Sequence, residues 1–119
     1  MGELSGRKAL VVEDEASIAI LIEDMLQDLG CEIVGSASRL KQATDMARTA
    51  RIDFAIVDVN LGGELAFPVA RILVERNVPF LFSTGYGVSG IPLEFDGCAL
   101  LSKPFLLEEL QRELLAILA

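Results

Sequence analysis

The sequence predicts a doubly wound α/β fold, in which helices cover both faces of a parallel sheet. Short, continuously apolar runs alternate along the chain with longer segments whose apolar residues recur every three or four positions. The short runs lack the alternating pattern of half-exposed strands, which is typical of strands buried on both faces. The chain has 119 residues, close to the commonest domain size, so we expect residues 1–119 to form a single domain.

The first half of the chain contains three predicted strands and two predicted helices. Residues 1–6 are expected to be a loose end before the first strand. A stripe of apolar residues predicts the first helix, and Gly30 ends it in the position that glycine commonly takes. Ser38 is the expected N-cap of the second helix. In this half we predict strands at residues 8–13, 31–37 and 53–58, and helices at residues 16–29 and 38–50.

The second half of the chain is richer in glycine and proline. Pro68 suits the first turn of a helix, where its missing N–H group leaves no hydrogen bond unmade. Three glycines and a proline lie within residues 85–92, so we expect the fourth helix to be short or disordered. In this half we predict helices at residues 67–76 and 106–118, and strands at residues 78–83 and 97–101.

This alternation of strands and helices constrains the topology. It implies a parallel sheet whose strands are joined by right-handed crossovers. We predict the flavodoxin-like (βα)5 arrangement with strand order 2-1-3-4-5, in which the order reverses between strands 1 and 3. Ligands of such sheets bind beyond the carboxyl ends of the strands at that reversal.

Composition and charge exclude several classes of protein. The net charge is −8 and the isoelectric point about 4.4, which argues against nucleic acid or an anionic membrane as a direct partner. We find no apolar stretch of the ~20 residues that span a bilayer and no secretory signal, so we expect a cytoplasmic protein. Cys31 and Cys98 lack metal-ligand spacing and the chain has no histidine, so two reduced thiols are expected, with a disulfide between them as the alternative.

Polar residues follow four of the predicted strands at their carboxyl ends. They are Glu13 and Asp14, Asp58, Thr84, and Lys103. Carboxylates within a few ångströms of one another repel unless a cation intervenes, and Mg²⁺ is commonly held by such groups. The three acids therefore predict a site for Mg²⁺ or Mn²⁺; the alternative is that they are unrelated, solvated residues at loop starts.

A carboxylate beside a metal, a hydroxyl and an ammonium suggests phosphoryl chemistry. A carboxylate such as Asp58 can act as a nucleophile and form an acyl phosphate. Lys103 and the Thr84 hydroxyl could then bind phosphoryl oxygens, although each residue alone fits an ordinary structural role. Pro104 is a candidate for a cis peptide bond, because X–Pro bonds tolerate that isomer.

Four motifs in order resemble a known family. They are Val-Val-Glu-Asp-Glu at 11–15, Ile-Val-Asp-Val-Asn-Leu at 56–61, Ser-Thr-Gly at 83–85 and Lys-Pro-Phe at 103–105. Together they resemble the response-regulator receiver domain of two-component signalling, the CheY-like family, over nearly all of residues 8–118. The resemblance implies that Asp58 accepts a phosphoryl group, that Thr84 is the switch hydroxyl and that Lys103 binds the phosphoryl group. The metal ligands that it implies are Glu13, Asp14, Asp58 and the backbone carbonyl of Asn60.

The resemblance also implies partners. The phosphoryl donor would be a histidine kinase or a histidine phosphotransfer protein, and the output partner is unknown. We expect a signalling switch rather than an enzyme, limited to phosphorylating itself from small donors and dephosphorylating itself. It would be a monomer or a phosphorylation-dependent homodimer, and either a stand-alone receiver or part of a longer protein.

The chain departs from the usual receiver pattern at two places. Leu100 stands where receivers usually carry Tyr or Phe, three residues before the lysine. Residues 79–86 instead resemble the FATGUY receiver subgroup, which lacks that aromatic, and Tyr86 is a possible replacement in the readout. The second departure is the Gly-rich segments after Asp58 and Thr84. Ile91, Leu93 and Phe95 are candidates for the signalling face, with core packing as the alternative.

Three other functions fit parts of the pattern. An aspartate-nucleophile phosphatase of the haloacid dehalogenase class also uses Asp, a hydroxyl, Lys and Mg²⁺. Its nucleophile belongs to an Asp-x-Asp pattern on an early strand, whereas Asp58 lies on the third strand and residue 60 is Asn. A flavodoxin-like FMN carrier would need a Ser/Thr-rich phosphate loop after the first strand, and no such loop follows it here. A pseudo-receiver interaction module would usually have a broken acidic triad, whereas Glu13, Asp14 and Asp58 are all present.

Overall fold

The computed structural model describes residues 3–85 and 91–119, and these form a five-stranded sheet, a two-stranded hairpin and four α-helices. In chain order the elements are β1 (Lys8–Val12), α1 (Ala16–Asp28), β2 (Glu32–Ala37), α2 (Leu40–Thr49), β3 (Phe54–Asp58), β4 (Asn60–Leu61), β5 (Glu64–Leu65), α3 (Phe67–Glu75), β6 (Phe80–Thr84), β7 (Leu100–Ser102) and α4 (Leu107–Ile117). No helix in this part of the chain is both long enough and apolar enough to cross a bilayer.

The large sheet has the topology that the sequence predicts. Its strand order is β2-β1-β3-β6-β7, and every neighbouring pair of strands is parallel. This is the flavodoxin-like order 2-1-3-4-5, with β6 and β7 as the fourth and fifth strands of the sheet. The reversal of strand order lies between β1 and β3, so the expected ligand edge is at their carboxyl ends.

Side chains of the central strands point alternately into two cores. On β3, Ala55 and Val57 belong to the core beneath α2 and α3, whereas Phe54 and Ile56 belong to the core beneath α1 and α4. Successive strand residues point to opposite faces of a sheet, and all five residues of β3 are buried. Burial on both faces explains why the sequence shows a continuous apolar run here.

The N-terminal segment is not a loose end where the structure describes it. Leu4 is 3% exposed and packs into the core beneath α1 and α4. The Gly6 N–H donates to the Gly30 carbonyl at 2.8 Å. Gly30 has a φ of 89°, and a Cβ there would lie 3.2 Å from Cα of Ser5. The prediction for residues 1–6 is therefore wrong for residues 3–6, because an apolar side chain and a backbone hydrogen bond attach them.

Two predicted element starts need correction. Helix α2 begins at Leu40 with Arg39 as N-cap, and the Ser38 N–H donates to Oε1 of Gln42 instead of Ser38 capping the helix. Strand β7 begins at Leu100, not at residue 97. Gly97 has a φ of 85°, a left-handed backbone that belongs to a turn and not to a strand.

The fourth helix is reduced to a short turn where the structure describes it. Leu93–Phe95 form a single 3-10 turn between β6 and β7. Phe95 is 3% exposed and its ring lies among three other phenylalanine rings, whereas Leu93 is 88% exposed. Of the candidate signalling residues, Phe95 is therefore a core residue and Leu93 lies on the surface.

Candidate functional site

Strand ends bring the predicted polar residues to one edge of the sheet. Glu13 and Asp14 directly follow β1, Asp58 ends β3, Thr84 ends β6, and Lys103 follows β7. The strands are parallel, so these carboxyl ends lie side by side. Sequence positions up to 90 residues apart, those of Glu13 and Lys103, meet in one hydrogen bond.

Three carboxylates converge at this edge. Glu13, Asp14 and Asp58 each offer an oxygen, and these oxygens all lie within 4.8 Å of one another. Glu13 is 2% exposed and Asp58 is 5% exposed. Buried carboxylates are rare unless they are paired with a cation or bind a metal, so their convergence needs such a partner.

Hydrogen bonds fix the orientation of the two buried acids. Lys103 Nζ lies 3.0 Å from Oε1 of Glu13 and 3.0 Å from Oδ2 of Asp58. The other oxygen of Glu13 accepts the Glu15 N–H at 3.1 Å, and the other oxygen of Asp58 accepts the Asn60 N–H at 3.2 Å. Both acids are thus held in place before any ligand binds.

The electrostatics of the site reflect burial and crowding. Burial raises the pKa of Glu13 to about 7, and the nearby Asp58 adds to the rise, against the opposing hydrogen bonds from Glu15 and Lys103. Burial lowers the pKa of Lys103, but the hydrogen bonds and charges of Asp58 and Glu13 outweigh burial and leave that pKa raised. The ammonium therefore stays charged and neutralises only part of the acidic cluster.

The residues present fit a divalent metal ion. Three carboxylates face one ammonium, which leaves an excess of negative charge in a largely buried place. Carboxylate oxygens are the hard ligands that Mg²⁺ prefers. The additional role of the Asn60 backbone carbonyl as a ligand stays a prediction.

The remaining predicted site residues are placed as follows. Thr84 is buried, at 3% exposure, where β6 ends. The Lys103–Pro104 peptide bond is cis, in agreement with the sequence analysis. Leu100, the residue in place of the usual aromatic, pairs with Phe82 across the sheet. Tyr86 lies outside the described residues.

A cavity of about 540 Å³ joins the acids to an apolar surface that the sequence analysis missed. Its polar side is lined by Asp14, Asp58 and Lys103. Its apolar side is lined by residues of α1 and of the segment after β7: Ile18, Leu21, Ile22, Met25, Pro104 and Phe105. The apolar stripe that predicts α1 is only partly buried, since Leu21 is 49% exposed.

The structure also forms a hairpin that the sequence analysis treated as a loop. Strands β4 and β5 pair antiparallel between Asp58 and α3. Gly62 and Gly63 connect them and line the same cavity. A Gly-Gly pair between two possible short strands was the available signal, because such pairs favour tight hairpin turns.

The chain is similar to known proteins over most of its length. Residues 9–115 match the response regulator receiver domain family model. The transcriptional regulatory protein PdtaR of Mycobacterium tuberculosis is 30% identical over 108 residues, which cover 87% of this chain and 53% of that protein. The chain thus spans about half the length of the curated relatives that it matches first.

Two solved structures show the same fold over nearly the whole chain. SdrG from Sphingomonas melonis has a TM-score of 0.85 and 36% identity, covering 99% of this chain and all 100% of that one. The receiver domain of the sensor histidine kinase PA1611 from Pseudomonas aeruginosa has a TM-score of 0.82 and 28% identity, covering 96% and 98%. That structure has a magnesium ion coordinated in its active site cleft. The family match and the acidic edge of the sheet agree, and the chain belongs to the response regulator receiver domains of two-component signalling.

Proposed function

We propose that this receiver accepts a phosphoryl group on Asp58 from a histidine kinase or a histidine phosphotransfer protein, with Mg²⁺ or Mn²⁺ as cofactor. One observation carries the proposal: three carboxylates lie within 4.8 Å of one another, and the Lys103 ammonium is bonded to two of them. The chain has no histidine, so a phosphohistidine donor must be supplied by another domain or protein.

Asp58 is the nucleophile in this proposal. A carboxylate oxygen of Asp58 attacks the phosphorus, a P–O bond forms, and the P–N bond of the donor breaks with its electron pair leaving on the imidazole. The product is an acyl phosphate. Asp58 suits this role because the Asn60 N–H and Lys103 already fix its two oxygens. The carboxylate therefore has little orientational freedom left to lose when it reacts.

The acidic cluster would hold the metal ion. Glu13, Asp14 and Asp58, with the Asn60 carbonyl, are the residues that would bind it. When bound, Mg²⁺ supplies positive charge that neutralises phosphoryl oxygens as negative charge builds up.

Lys103 and Thr84 would bind the phosphoryl group once it is on Asp58. The Lys103 ammonium already contacts the carboxylate, so a short movement would take it to a phosphoryl oxygen. The Thr84 hydroxyl would donate to another phosphoryl oxygen from the neighbouring strand. These new contacts exist only in the phosphorylated state, so they can shift the population of conformations.

The surface around β6, β7 and α4 would carry the signal to a partner. Lys103 follows β7, at the start of the segment that leads to α4. Thr84 ends β6, so its movement would change the connection from β6 to β7. Leu93 lies in this connection and is 88% exposed, which suits contact with another protein. Ile91 is partly buried against the core beneath α2 and α3. Assignment to the FATGUY subgroup and a role for Tyr86 stay predictions.

The apolar side of the cavity supports docking of a protein donor. A small phosphodonor needs only the acids, but a protein donor also needs a surface that positions its histidine. Leu21 and Ile20 on α1 are 49% and 58% exposed, and Leu106, before α4, is 65% exposed. Of these residues, Leu21 lines the cavity itself. Exposed aliphatic side chains of this kind contribute to binding when a partner buries them.

The proposal is tested by incubating the protein with acetyl phosphate and Mg²⁺ and measuring the intact mass and the Phos-tag mobility. We expect one phosphoryl group per chain, which depends on Mg²⁺ and disappears in Asp58→Asn. Asp45→Asn, which changes an exposed aspartate on α2, is the matched control and should be phosphorylated like the wild type. The proposal would be wrong if the wild type gained no phosphoryl group or if Asp58→Asn gained as much.

A further inference from the structure

The hairpin after Asp58 is a small element that needs support from elsewhere. Its two residue pairs are Asn60 with Leu65 and Leu61 with Glu64. The connecting residues Gly62 and Gly63 have φ values of 61° and 99°, as in the two-residue turns that favour glycine. A two-stranded hairpin is marginally stable by itself, and glycine loses more conformational freedom on folding than any other residue. Other contacts must therefore hold this turn.

Asn60 supplies such contacts and links the turn to the site. Its side-chain Oδ1 accepts the Gly63 N–H at 2.7 Å. Its backbone N–H donates to Oδ1 of Asp58 at 3.2 Å. A short polar side chain that bonds the backbone a few residues further on is a common way to fix a turn. One residue thus contacts both the hairpin turn and the carboxylate proposed to be phosphorylated.

The turn also shapes the cavity beside the acids. Gly62 and Gly63 line the cavity together with Asp14 and Asp58. A Cβ at Gly62 would lie 3.7 Å from Oδ2 of Asp14, which is ordinary van der Waals contact. Leu61 is 3% exposed and anchors the hairpin in the core beneath α2 and α3. A displaced turn would therefore change the space next to Asp14.

We infer that the side-chain amide of Asn60 is a positioning group for the acidic site. It fixes the Gly62–Gly63 turn, and thereby holds the Asn60 N–H on Asp58 and the cavity wall beside Asp14. The effect of this amide on metal binding rests on the proposed function. The amide acts through Asp58 and Asp14, and it needs no contact of its own with a phosphoryl group.

The first test uses the metal-free protein and measures hydrogen exchange of the Gly63 amide by NMR. Asn60→Ala removes the acceptor, so Gly63 should exchange about fivefold faster or more, as expected for the loss of one hydrogen bond. Asn60→Asp keeps an oxygen at the same place and should protect Gly63 as the wild type does. Equal Gly63 exchange in Asn60→Ala and wild type would overturn the inference.

The second test titrates Mg²⁺ and follows the amide resonances of the site. Asn60→Ala should bind Mg²⁺ about fivefold more weakly, whereas Glu64→Gln, on the same hairpin and exposed, should stay within about twofold of the wild type. Unchanged affinity in Asn60→Ala, or an equal loss in Glu64→Gln, would overturn the link between the turn and the site. If the wild type itself bound no Mg²⁺, the proposed function and this link would fail together, while Gly63 exchange would still decide whether Asn60 fixes the turn.

Discussion

Lys103 Nζ lies 3.0 Å from Oδ2 of Asp58, and the same ammonium lies 3.0 Å from Oε1 of Glu13. One cation thus bridges two buried carboxylates that would otherwise repel each other. A metal ion held by these acids would need the same region of negative charge. The ammonium and a metal ion would therefore compete for the carboxylates in the unphosphorylated protein, although both would favour a phosphoryl group once it is bound.

The first prediction concerns this competition. Lys103→Met removes the charge and keeps most of the side chain, so we expect Mg²⁺ to bind about tenfold more tightly. Two unit charges about 4 Å apart repel by several kcal/mol at an effective dielectric of 20, before screening reduces the effect. Phosphorylation by acetyl phosphate should fall about tenfold or more, because one donor to the phosphoryl group is lost. Isothermal titration with Mg²⁺ and the rate of mass gain measure the two effects.

Lys41→Met is the control for this pair of measurements. Lys41 is an exposed lysine that pairs with Asp45 on α2. It should change neither Mg²⁺ affinity nor phosphorylation by more than about twofold. If Lys103→Met bound Mg²⁺ more weakly than the wild type, the Lys103 ammonium and Mg²⁺ would not compete for the carboxylates.

The second prediction concerns pH and the metal-free protein. Burial, with help from Asp58, raises the pKa of Glu13 from 4.5 to about 7. Between these values the folded state binds more protons than the unfolded state, so the free energy of unfolding falls as pH rises from about 4.5 to about 7. The contribution from this group is on the order of 3 kcal/mol when complete. Because the proton would occupy a proposed metal ligand, Mg²⁺ affinity should rise over the same window.

Urea denaturation in EDTA at pH 5, 6, 7 and 8 measures this effect. Glu13→Gln has no titrating group at this position, so the difference in unfolding free energy between wild type and variant should shrink with rising pH or change sign. Parallel pH profiles for the two proteins would show that the pKa of Glu13 is not raised.

The third prediction concerns a buried hydroxyl. Ser83 is fully buried, and its Oγ makes no hydrogen bond within the part of the chain that the structure describes. Its backbone carbonyl accepts the Val59 N–H, which a substitution would preserve. Ser83→Ala should leave the free energy of unfolding unchanged or raise it by about 1 kcal/mol, because an unpaired buried polar group is costly.

A second serine is a suitable comparison for Ser83. The Ser36 hydroxyl donates to Glu23 at 3.0 Å on the exposed side of β2, so Ser36→Ala loses a real hydrogen bond. We expect Ser36→Ala to lower the free energy of unfolding by about 0.5–1 kcal/mol. If thermal or urea denaturation showed that Ser83→Ala lowers the free energy of unfolding more than Ser36→Ala does, the Ser83 hydroxyl would have a stabilising partner.

The placement of the candidate site residues at one edge of the sheet could be predicted because it follows from strand order. Buried parallel strands appear in the sequence as continuous apolar runs, and the residue after each run must lie at the ligand edge of the sheet. Asp58 and Lys103 were therefore assigned to one site without any knowledge of their contacts. The convergence of the three carboxylates and the bonds of Lys103 agree with that placement.

The missed features depend on contacts that periodicity does not encode. Strands of two residues, as in the hairpin after Asp58, show no repeating pattern, and Asn60 fixes that turn through a single side-chain bond. The burial of Leu4 depends on a pocket between α1 and α4 that only the folded chain provides. Ser38 has the right chemistry for an N-cap, but its N–H bonds Gln42 and the helix begins one residue later than that cap would require.

The fourth prediction concerns the connection between β6 and β7. Arg71 on α3 donates from Nε and Nη2 to Oε1 of Glu94, at 3.0 and 2.7 Å. Its guanidinium also lies over the Phe95 ring, with Cζ 5.9 Å from the ring centroid. These contacts attach the Leu93–Phe95 turn to α3. Cys98 follows the turn, and its N–H donates to the Phe95 carbonyl at 3.0 Å, so reaction of the Cys98 thiol reports on opening of the turn.

Arg71→Ala should raise the rate at which Cys98 is alkylated by roughly two- to fivefold, the range expected for the loss of an exposed ion pair. The reaction is best followed at pH 8, because burial raises the pKa of the Cys98 thiol, and by peptide mass spectrometry, which separates Cys98 from the buried Cys31. Added salt screens an exposed pair, so it should speed alkylation in the wild type and have no such effect in Arg71→Ala. Arg71→Lys keeps the charge without the two-donor contact, so its rate of Cys98 alkylation should lie between the rates of the wild type and Arg71→Ala. Alkylation that is equally fast in wild type and Arg71→Ala, at low and high salt, would mean that Phe95 packing alone holds the turn.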